Sequence, residues 1–503
     1  MNWRIIWKSL KSSDMRGRLA AVLGMLLVFR ILAHIPIPLA SPETLKQVLE
    51  NLFNSTNTPQ LFSFLDVLSG GALANFSIML VGLGPYINAS IIMQLLTKAI
   101  PKLETLNKEG EFGRRKINQY TRMLTLPLAI IQSIGAIFLV RQTAQQIGGI
   151  GDITANTSIM QWVLMVAALT GGAMLLMWLG ELITEQSIGN GISLLITVGI
   201  VSSLPGTIAT IVNSVVDNAS KMVLLGWELP INRIQLLYAS IILVATILIT
   251  IFIVRLNEAS RRLTVNYAKR VQGNRTYGGV TTTLPIKLIT AGVIPIIFAL
   301  AFLSIPSFVG QLMTGADSVR MQEIGNNLLL WFQNPSAQTF LTPGFTPYIY
   351  PVAYFLLVFV FTFFYTSITF NAKDISEELQ KEGGFIEGIR AGHETEKYLS
   401  KTVTRLTLFG ALALGFLAIT PIIGQAFLQT NIAIGGTSIL ILVSVSLETL
   451  RSIESRALMI TYDQYEQPDY FYDSDTNVAV SAKRHLKLPF IRQKNSKKSD
   501  QDS

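Results

Sequence analysis

The chain has 503 residues, half of them hydrophobic and 14% charged, with a formal net charge of +9 and no cysteine. Its mean hydropathy of +0.46 excludes an ordinary soluble enzyme and fits a protein that crosses a membrane several times. Disulfides and thiolate metal sites are excluded as well, and the histidines His34, His393 and His485 have no metal-ligand spacing.

In chain order, the basic residues Arg4, Lys8, Lys11, Arg16 and Arg18 precede a first apolar stretch, Leu19–Leu39. It reads as a retained helix, because the segment before it is long for a signal peptide and further spans follow closely. Next comes Phe62–Asn75, Gly-rich, half-length and too weakly apolar to span. A short element of this kind between full spans points to a pore that must be closed. Further spans are expected at Ser77–Leu96, Tyr120–Val140, Ile159–Leu179, Gly191–Val212, Leu236–Val254, Ile286–Phe308, Pro351–Phe370, Thr402–Ile423 and Ile434–Leu450. The even total of ten puts both termini on one side. Arg261, Arg262, Lys269, Arg270 and Arg275 after the sixth span, with the N-terminal cluster, assign that side to the cytoplasm. The inner loops around Glu181–Glu185 and Lys373–Lys401 carry no positive excess and leave that orientation unchanged.

Two long inner connections, Arg255–Lys287 and Asn371–Lys401, mix charge with Gly and short β-capable runs, and read as hairpin-like loops that grip a soluble partner. The outer connection Ser304–Pro351 is long and shows no recognisable chemistry. Beyond Asp463 the sequence turns from acidic and aromatic to basic, which suggests a mostly disordered tail, either touching lipid headgroups or ribosomal RNA or merely solubilising. No H-E-x-x-H or G-x-S-x-G constellation occurs, so an enzyme is not expected. Arg30, Glu181 and Glu448 lie near span ends, where they can snorkel or pair. The span centres are lined by Gly, Ser, Thr and aliphatic residues, which argues against a secondary transporter with a mid-membrane solute site.

A series of motifs in fixed order carries a resemblance. They are Gly70-Gly71-Ala72-Leu73, Pro85-Tyr86-Ile87-Asn88-Ala89-Ser90-Ile91-Ile92, Glu109-Gly110-Glu111 with Gly113-Arg114-Arg115-Lys116, Gly189-Asn190-Gly191-Ile192-Ser193 and Asn266-Tyr267-Ala268-Lys269-Arg270. Ala291-Gly292-Val293-Ile294-Pro295, Gly388-Ile389-Arg390, Lys397-Tyr398-Leu399, Thr404-Arg405-Leu406-Thr407 and Gly435-Gly436-Thr437-Ser438 continue it. From about Arg16 to Tyr465 the chain resembles the SecY family, the central channel subunits of protein translocases.

The resemblance implies an all-α polytopic membrane protein of the bacterial cytoplasmic (plasma) membrane. Its ten transmembrane helices would form two inverted-topology halves, a clamshell, with a short plug helix. The implied organisation is a cytoplasmic segment 1–18, a first half 19–215, an outer connection 216–235, a second half 236–460 with inner loops 255–287 and 371–401, and a cytoplasmic tail 461–503. The implied pore ring is Leu83, Ile87, Ile196, Ile200, Ile297 and Ile441. Its plug is the run Phe64, Leu65, Asp66, Val67, Leu68, Ser69, Gly70, Gly71, Ala72 and Leu73. A lateral gate to lipid is implied at Asn88, Gln94, Gln132 and Thr290, with Ile289 where the family usually has Asn. Arg270, Arg275 and Arg390 are implied to dock the SecA motor or the ribosome, and Ala391 replaces the familiar Pro after Gly-Ile-Arg, which suggests a less rigid loop tip. SecE and SecG subunits, signal peptides, unfolded secretory chains and anionic lipids are the implied partners, and no cofactor is implied. The function expected is a protein-conducting channel. A non-conducting assembly or insertase subunit is the alternative.

Overall fold

The computed structural model describes residues 12–37, 77–146, 158–216, 222–224, 227–229, 232–267, 270–272, 275–277, 279, 281–315, 318–333, 335, 339–341, 344–428 and 436–463. The expected plug, 64–73, and the tail beyond Asp463 lie outside the described residues. The chain divides into two compact units, Arg18–Arg451 and a smaller one built from Met1–Gly17 and Ser452–Ser503. Within the smaller unit, Asp14 and Arg456 form an ion pair at 3.8 Å.

Helices dominate. They begin with α1 (Ser13–Leu32), α2 (Gly84–Ala99), α3 (Pro101–Lys108), α4 (Glu111–Gln146), α5 (Ile159–Glu185) and α6 (Gly191–Val215). A short hairpin, β1 (Met222–Leu224) and β2 (Trp227–Leu229), leads to α7 (Arg233–Glu258). Strands β3 (Ser260–Tyr267), β4 (Arg270–Gln272), β5 (Arg275–Tyr277) and β6 (Thr281–Lys287) follow, then α8 (Ile294–Thr314) and α9 (Val319–Phe332). The remaining elements are α10 (Thr346–Thr369), α11 (Ala372–Lys381), β7 (Gly384–Ile386), α12 (His393–Leu428) and α13 (Gly436–Asp463).

Local chemistry explains where these helices start. Ser158 and Gln161 form a reciprocal capping box on α5, and the side chains of Asn190, Asn232 and Asn371 accept from first-turn amides of α6, α7 and α11. Proline in the first turn opens α2, α3, α8 and α10, where its missing N–H costs nothing. Among the described residues, seven helical stretches are long and apolar enough to cross a bilayer, in α4 to α8, α10 and α12. α7 is peripheral, since only 6% of its most apolar window is buried, against 50% for α5 and α8.

Four expected spans shift, and the second opens as a helix at Gly84 and not at Ser77. The first helix ends at Leu32, short of Leu39, and the last continues to Asp463, past Leu450. The seventh cannot begin at Ile286, because Ile286 and Lys287 are paired in β6 and the helix opens at Ile294.

The largest departure from the sequence reading concerns the two long connections. β3 pairs with β6 from Ser260↔Lys287 to Asn266↔Thr281, and on its other edge with β7 through Val265↔Ile386, Asn266↔Phe385 and Tyr267↔Gly384. Both connections therefore belong to one three-stranded sheet, β6-β3-β7. Its buried face, Leu263, Val265, Ile286 and Ile386, closes on Leu379 of α11 and on Leu399 and Val403 of α12.

Close helix packing sets a testable limit. A Cβ on Gly191 would overlap the Gly180 carbonyl oxygen, so α5 and α6 meet backbone to backbone, whereas nothing lies within 4 Å of a Cβ on Gly171. Thermal unfolding in detergent should show Gly191→Ala destabilised by about 1–3 kcal/mol. Gly171→Ala on the same hairpin should be neutral or stabilised by up to about 1 kcal/mol.

Candidate functional site

Helices α2 and α8 are approached by the chain in the same unusual way, through a buried lead-in of turns. Before α2 the segment 77–83 forms this lead-in: Ile78 donates its amide to Ile35 O at 3.0 Å, Gly82 adopts φ 62° and Leu83 caps the helix ahead of Pro85. Before α8, Leu288 donates to Ala259 O at 2.9 Å, Gly292 adopts φ 63° and Val293 caps the helix ahead of Pro295. In both cases the bonded amide lies four residues before the glycine, the proline three after it, and an isoleucine, Ile87 or Ile297, five after it. Positive φ is the reason for glycine here, since an L side chain is strained in that region. Each lead-in also meets a glycine on a neighbouring helix. A Cβ on Gly172 of α5 would overlap Ile78 O, and one on Gly410 of α12 would lie 2.7 Å from Leu288 O. Both lead-ins are enclosed by protein, as unwound backbone in a membrane protein must be unless it lines a water-filled cavity.

The expected pore-ring residues all face inward. Leu83 is 1% exposed, Ile87 4%, Ile196 2%, Ile200 2%, Ile297 8% and Ile441 4%, while Val201 and Ile208 on α6 are 47% and 58% exposed. Of the two readings open to each residue alone, lipid-facing or packed core, burial removes the first. Val293, 5% exposed, occupies the place before α8 that Leu83 occupies before α2, and sequence reasoning missed it. The signal was present as the repeated spacing G-x-x-P-x-I, Gly82 to Ile87 and Gly292 to Ile297.

At the expected gate, α8 packs against both α2 and α4, and a Cβ on Gly135 of α4 would overlap the Phe308 ring of α8. Asn88, Gln94 and Gln132 are half-buried on α2 and α4, and Thr290 is half-buried in the unwound lead-in, ahead of the helix itself. Gln94 bonds along its own helix, its Nε2 donating to Ser90 Oγ at 3.2 Å, and its Oε1 is buried without a partner. Ile289 is 7% exposed and lines a small cavity with Ile253 and Asn257 of α7, Leu414 of α12 and Ser444 of α13. Its apolar side chain is absorbed among those helices. Glu181, one of the acids near a span end, pairs bidentately with Arg122, at 2.8 Å to Nε and 2.7 Å to Nη2, and ties α4 to α5.

The arginines expected to dock a partner sit on the sheet and its appendage. β4 and β5 form a separate hairpin in the register Arg270↔Tyr277, Val271↔Thr276 and Gln272↔Arg275, so Arg270 and Arg275 hold positions on one face of the ladder. Arg390 is exposed in the turn after β7, between Gly388 at φ 78° and Gly392 at φ 98°. Thr395 Oγ1 donates to Arg390 O at 2.9 Å, and Ser376 Oγ donates to Gly392 O at 2.7 Å. Two hydroxyl anchors therefore hold the tip that carries Ala391 in place of proline. Beside it, Tyr267 OH donates to Glu382 Oε2 at 3.3 Å, and desolvation followed by the Glu382 charge raises the phenol pKa.

The sequence profile of the SecY family matches residues 77–450. The chain belongs to the SecY family. A protein translocase subunit SecY from Streptomyces coelicolor is 38% identical over 462 residues, 91% of this chain and 98% of that protein. The Mycobacterium bovis protein of the same name is 38% identical over 461 residues, with the same coverage. Among solved structures, a protein-conducting channel superposes with a TM-score of 0.58 at 16% identity, covering 87% of this chain and 91% of that one, and shares its fold. Against that membership, the two glycine-hinged lead-ins and the joined sheet are features this SecY-family chain shows in its own geometry.

Two measurements bear on them. Gly292→Val should lose about 1–2 kcal/mol of thermal stability in detergent, because a β-branched residue resists φ 63°. Gly292→Asn should lose less than half of that, since Asn tolerates the left-handed region. Mild oxidation of the double variant Asn266→Cys/Phe385→Cys should form an intrachain disulfide, because directly paired strand residues lie within bridging distance. Arg262→Cys/Phe385→Cys, four residues along β3, should not; equal yields from both pairs would mean that the two connections are unpaired.

Proposed function

We infer that this chain is the channel subunit of a bacterial protein translocase, passing unfolded secretory polypeptides across the plasma membrane and releasing apolar helices sideways into it. The observation that carries the reading is the buried aliphatic set at the paired starts of α2 and α8, Leu83 with Ile87 and Val293 with Ile297, together with Ile196, Ile200 and Ile441. A collar of such side chains yields around a moving chain and resists wetting when empty, so it passes polypeptide and holds back ions. Apolar segments leave through the seam between α2 and α8 because hydrocarbon stabilises them, so partition sorts the cargo.

The repeated lead-in supports two halves, 19–215 and 236–460, related by inverted topology, with ten spans in all and both termini in the cytoplasm. On this reading the run 64–73 is the plug, and Asn88, Gln94, Gln132 and Thr290 belong to the gate. The chain supplies no covalent chemistry, and the work comes from SecA or from chain elongation on the ribosome. Arg270, Arg275 and Arg390 are the side chains through which these partners dock, since guanidinium groups pair with phosphate and carboxylate in defined geometry. SecE and SecG complete the translocase.

A photocrosslinker at Ile87 or Ile200, in vesicles containing the translocase and purified SecA, tests this directly. Both positions should crosslink a stalled secretory chain, and the adducts should vanish without SecA or ATP. Translocation that continues with no adduct at either position would remove the collar and leave a non-conducting assembly subunit as the better reading.

A further inference from the structure

The connection between α8 and α10 has no role in the channel function proposed above, yet it is closely packed. Its helix α9 crosses the end of α8 at backbone contact: a Cβ on Gly325 would lie 2.7 Å from Gly310 O and 2.8 Å from Thr314 N, and one on Gly310 would lie 3.0 Å from Gly325 O. α8 has 21 residues, a length of about 30 Å that matches the hydrocarbon thickness of a bilayer. Its last turn therefore lies at the membrane boundary, on the face opposite the β6-β3-β7 sheet. The middle of α9 is pinned at that same depth.

Met321, Ile324 and Trp331 are 49%, 51% and 44% exposed, and with the half-buried Leu328 they fall on one stripe of α9 at spacings of three, seven and ten residues. Glu323 and Asn326 occupy the other side, alongside Val319 and Leu330, 69% and 56% exposed. Beside the helix opens a groove of about 650 Å³, lined by Phe302, Leu303 and Pro306 of α8, Phe332 of α9, and Tyr348 and Val352 of α10. The α8 residues of this groove lie two to three turns in from Thr314, which is acyl-chain depth.

We propose that α9 is an interfacial membrane anchor. Its apolar stripe is embedded at the headgroup–acyl boundary, and the adjoining groove holds an acyl chain of a lipid in that leaflet. Depth selects lipid over a soluble partner, because an apolar face fixed at the boundary meets hydrocarbon before it meets protein. Trp331 and Tyr348 are the residue types that settle at that level. Anchored this way, α9 sets the depth of α8.

The cysteine-free sequence allows a clean test in the full chain, reconstituted in phosphatidylethanolamine–phosphatidylglycerol vesicles. Single nitroxides at Met321→Cys and Ile324→Cys should collide several-fold more with oxygen than with a water-soluble nickel chelate, and those at Glu323→Cys and Asn326→Cys should show the reverse. A bimane at Val352→Cys should be quenched several-fold more by lipid spin-labelled midway along the chain than by headgroup-labelled lipid. Equal nickel access at all four α9 positions would put the helix in water, and shielding of Met321 and Ile324 from both reagents would mean that protein covers the stripe; either result overturns the proposal. Absence of chain-labelled quenching at Val352 would overturn the acyl-chain site.

Discussion

Backbone amides and carbonyls cannot be left unpaired in hydrocarbon, and this constraint governs the molecule at the two points where helices are interrupted. Around Ser77–Leu83 the unwound turn is satisfied by its neighbours: Ser77 Oγ donates to Leu32 O at 3.0 Å and accepts from the Met79 amide at 3.0 Å, while Gly82 donates to Met79 O at 2.9 Å. The lead-in to α8 is tied to Ala259 and walled by Gly410. Because the turn before it is satisfied and buried, the helix that follows Leu83 can be shorter than a full span and still deliver aliphatic side chains to the interior. α2, with 16 residues, depends on this.

The sheet solves a different problem. Strands β3 and β6 would form an ordinary hairpin-like connection, exposed on both edges. Adding β7 from a segment more than a hundred residues away covers one edge, and α11 and α12 close the apolar face through Leu379, Leu399 and Val403. The Arg390 turn then rises from a packed body, and Ser376 and Thr395 fix its two ends. An exposed turn on such a base is ordered in advance of any contact its arginine makes.

Much of this was legible in the residues. Apolar runs located the helices, and their caps, Ser158, Asn190 and Asn232, stood where helix-start chemistry requires. Motif order named the family. What failed was non-local or too short to carry a pattern. β7 has three residues, Gly384 to Ile386, and its partner strand is remote, so no periodicity announces it. The start of α8 was misplaced because Ile286 is apolar and buried in a strand as it would be in a helix. The paired lead-ins escaped notice for a different reason. Their spacing, G-x-x-P-x-I, is visible in the sequence, but only the positive φ of Gly82 and Gly292 gives it a meaning.

The bridge between Pro36 and Ser77 has a mechanical consequence. It fixes the chain just after α1 against the chain just before α2, so these two points keep one spacing. A load applied at either point is shared by the other, and the ends of α1 and α2 stay in register. The number of residues between the two points is then free to vary without changing how the helices are set.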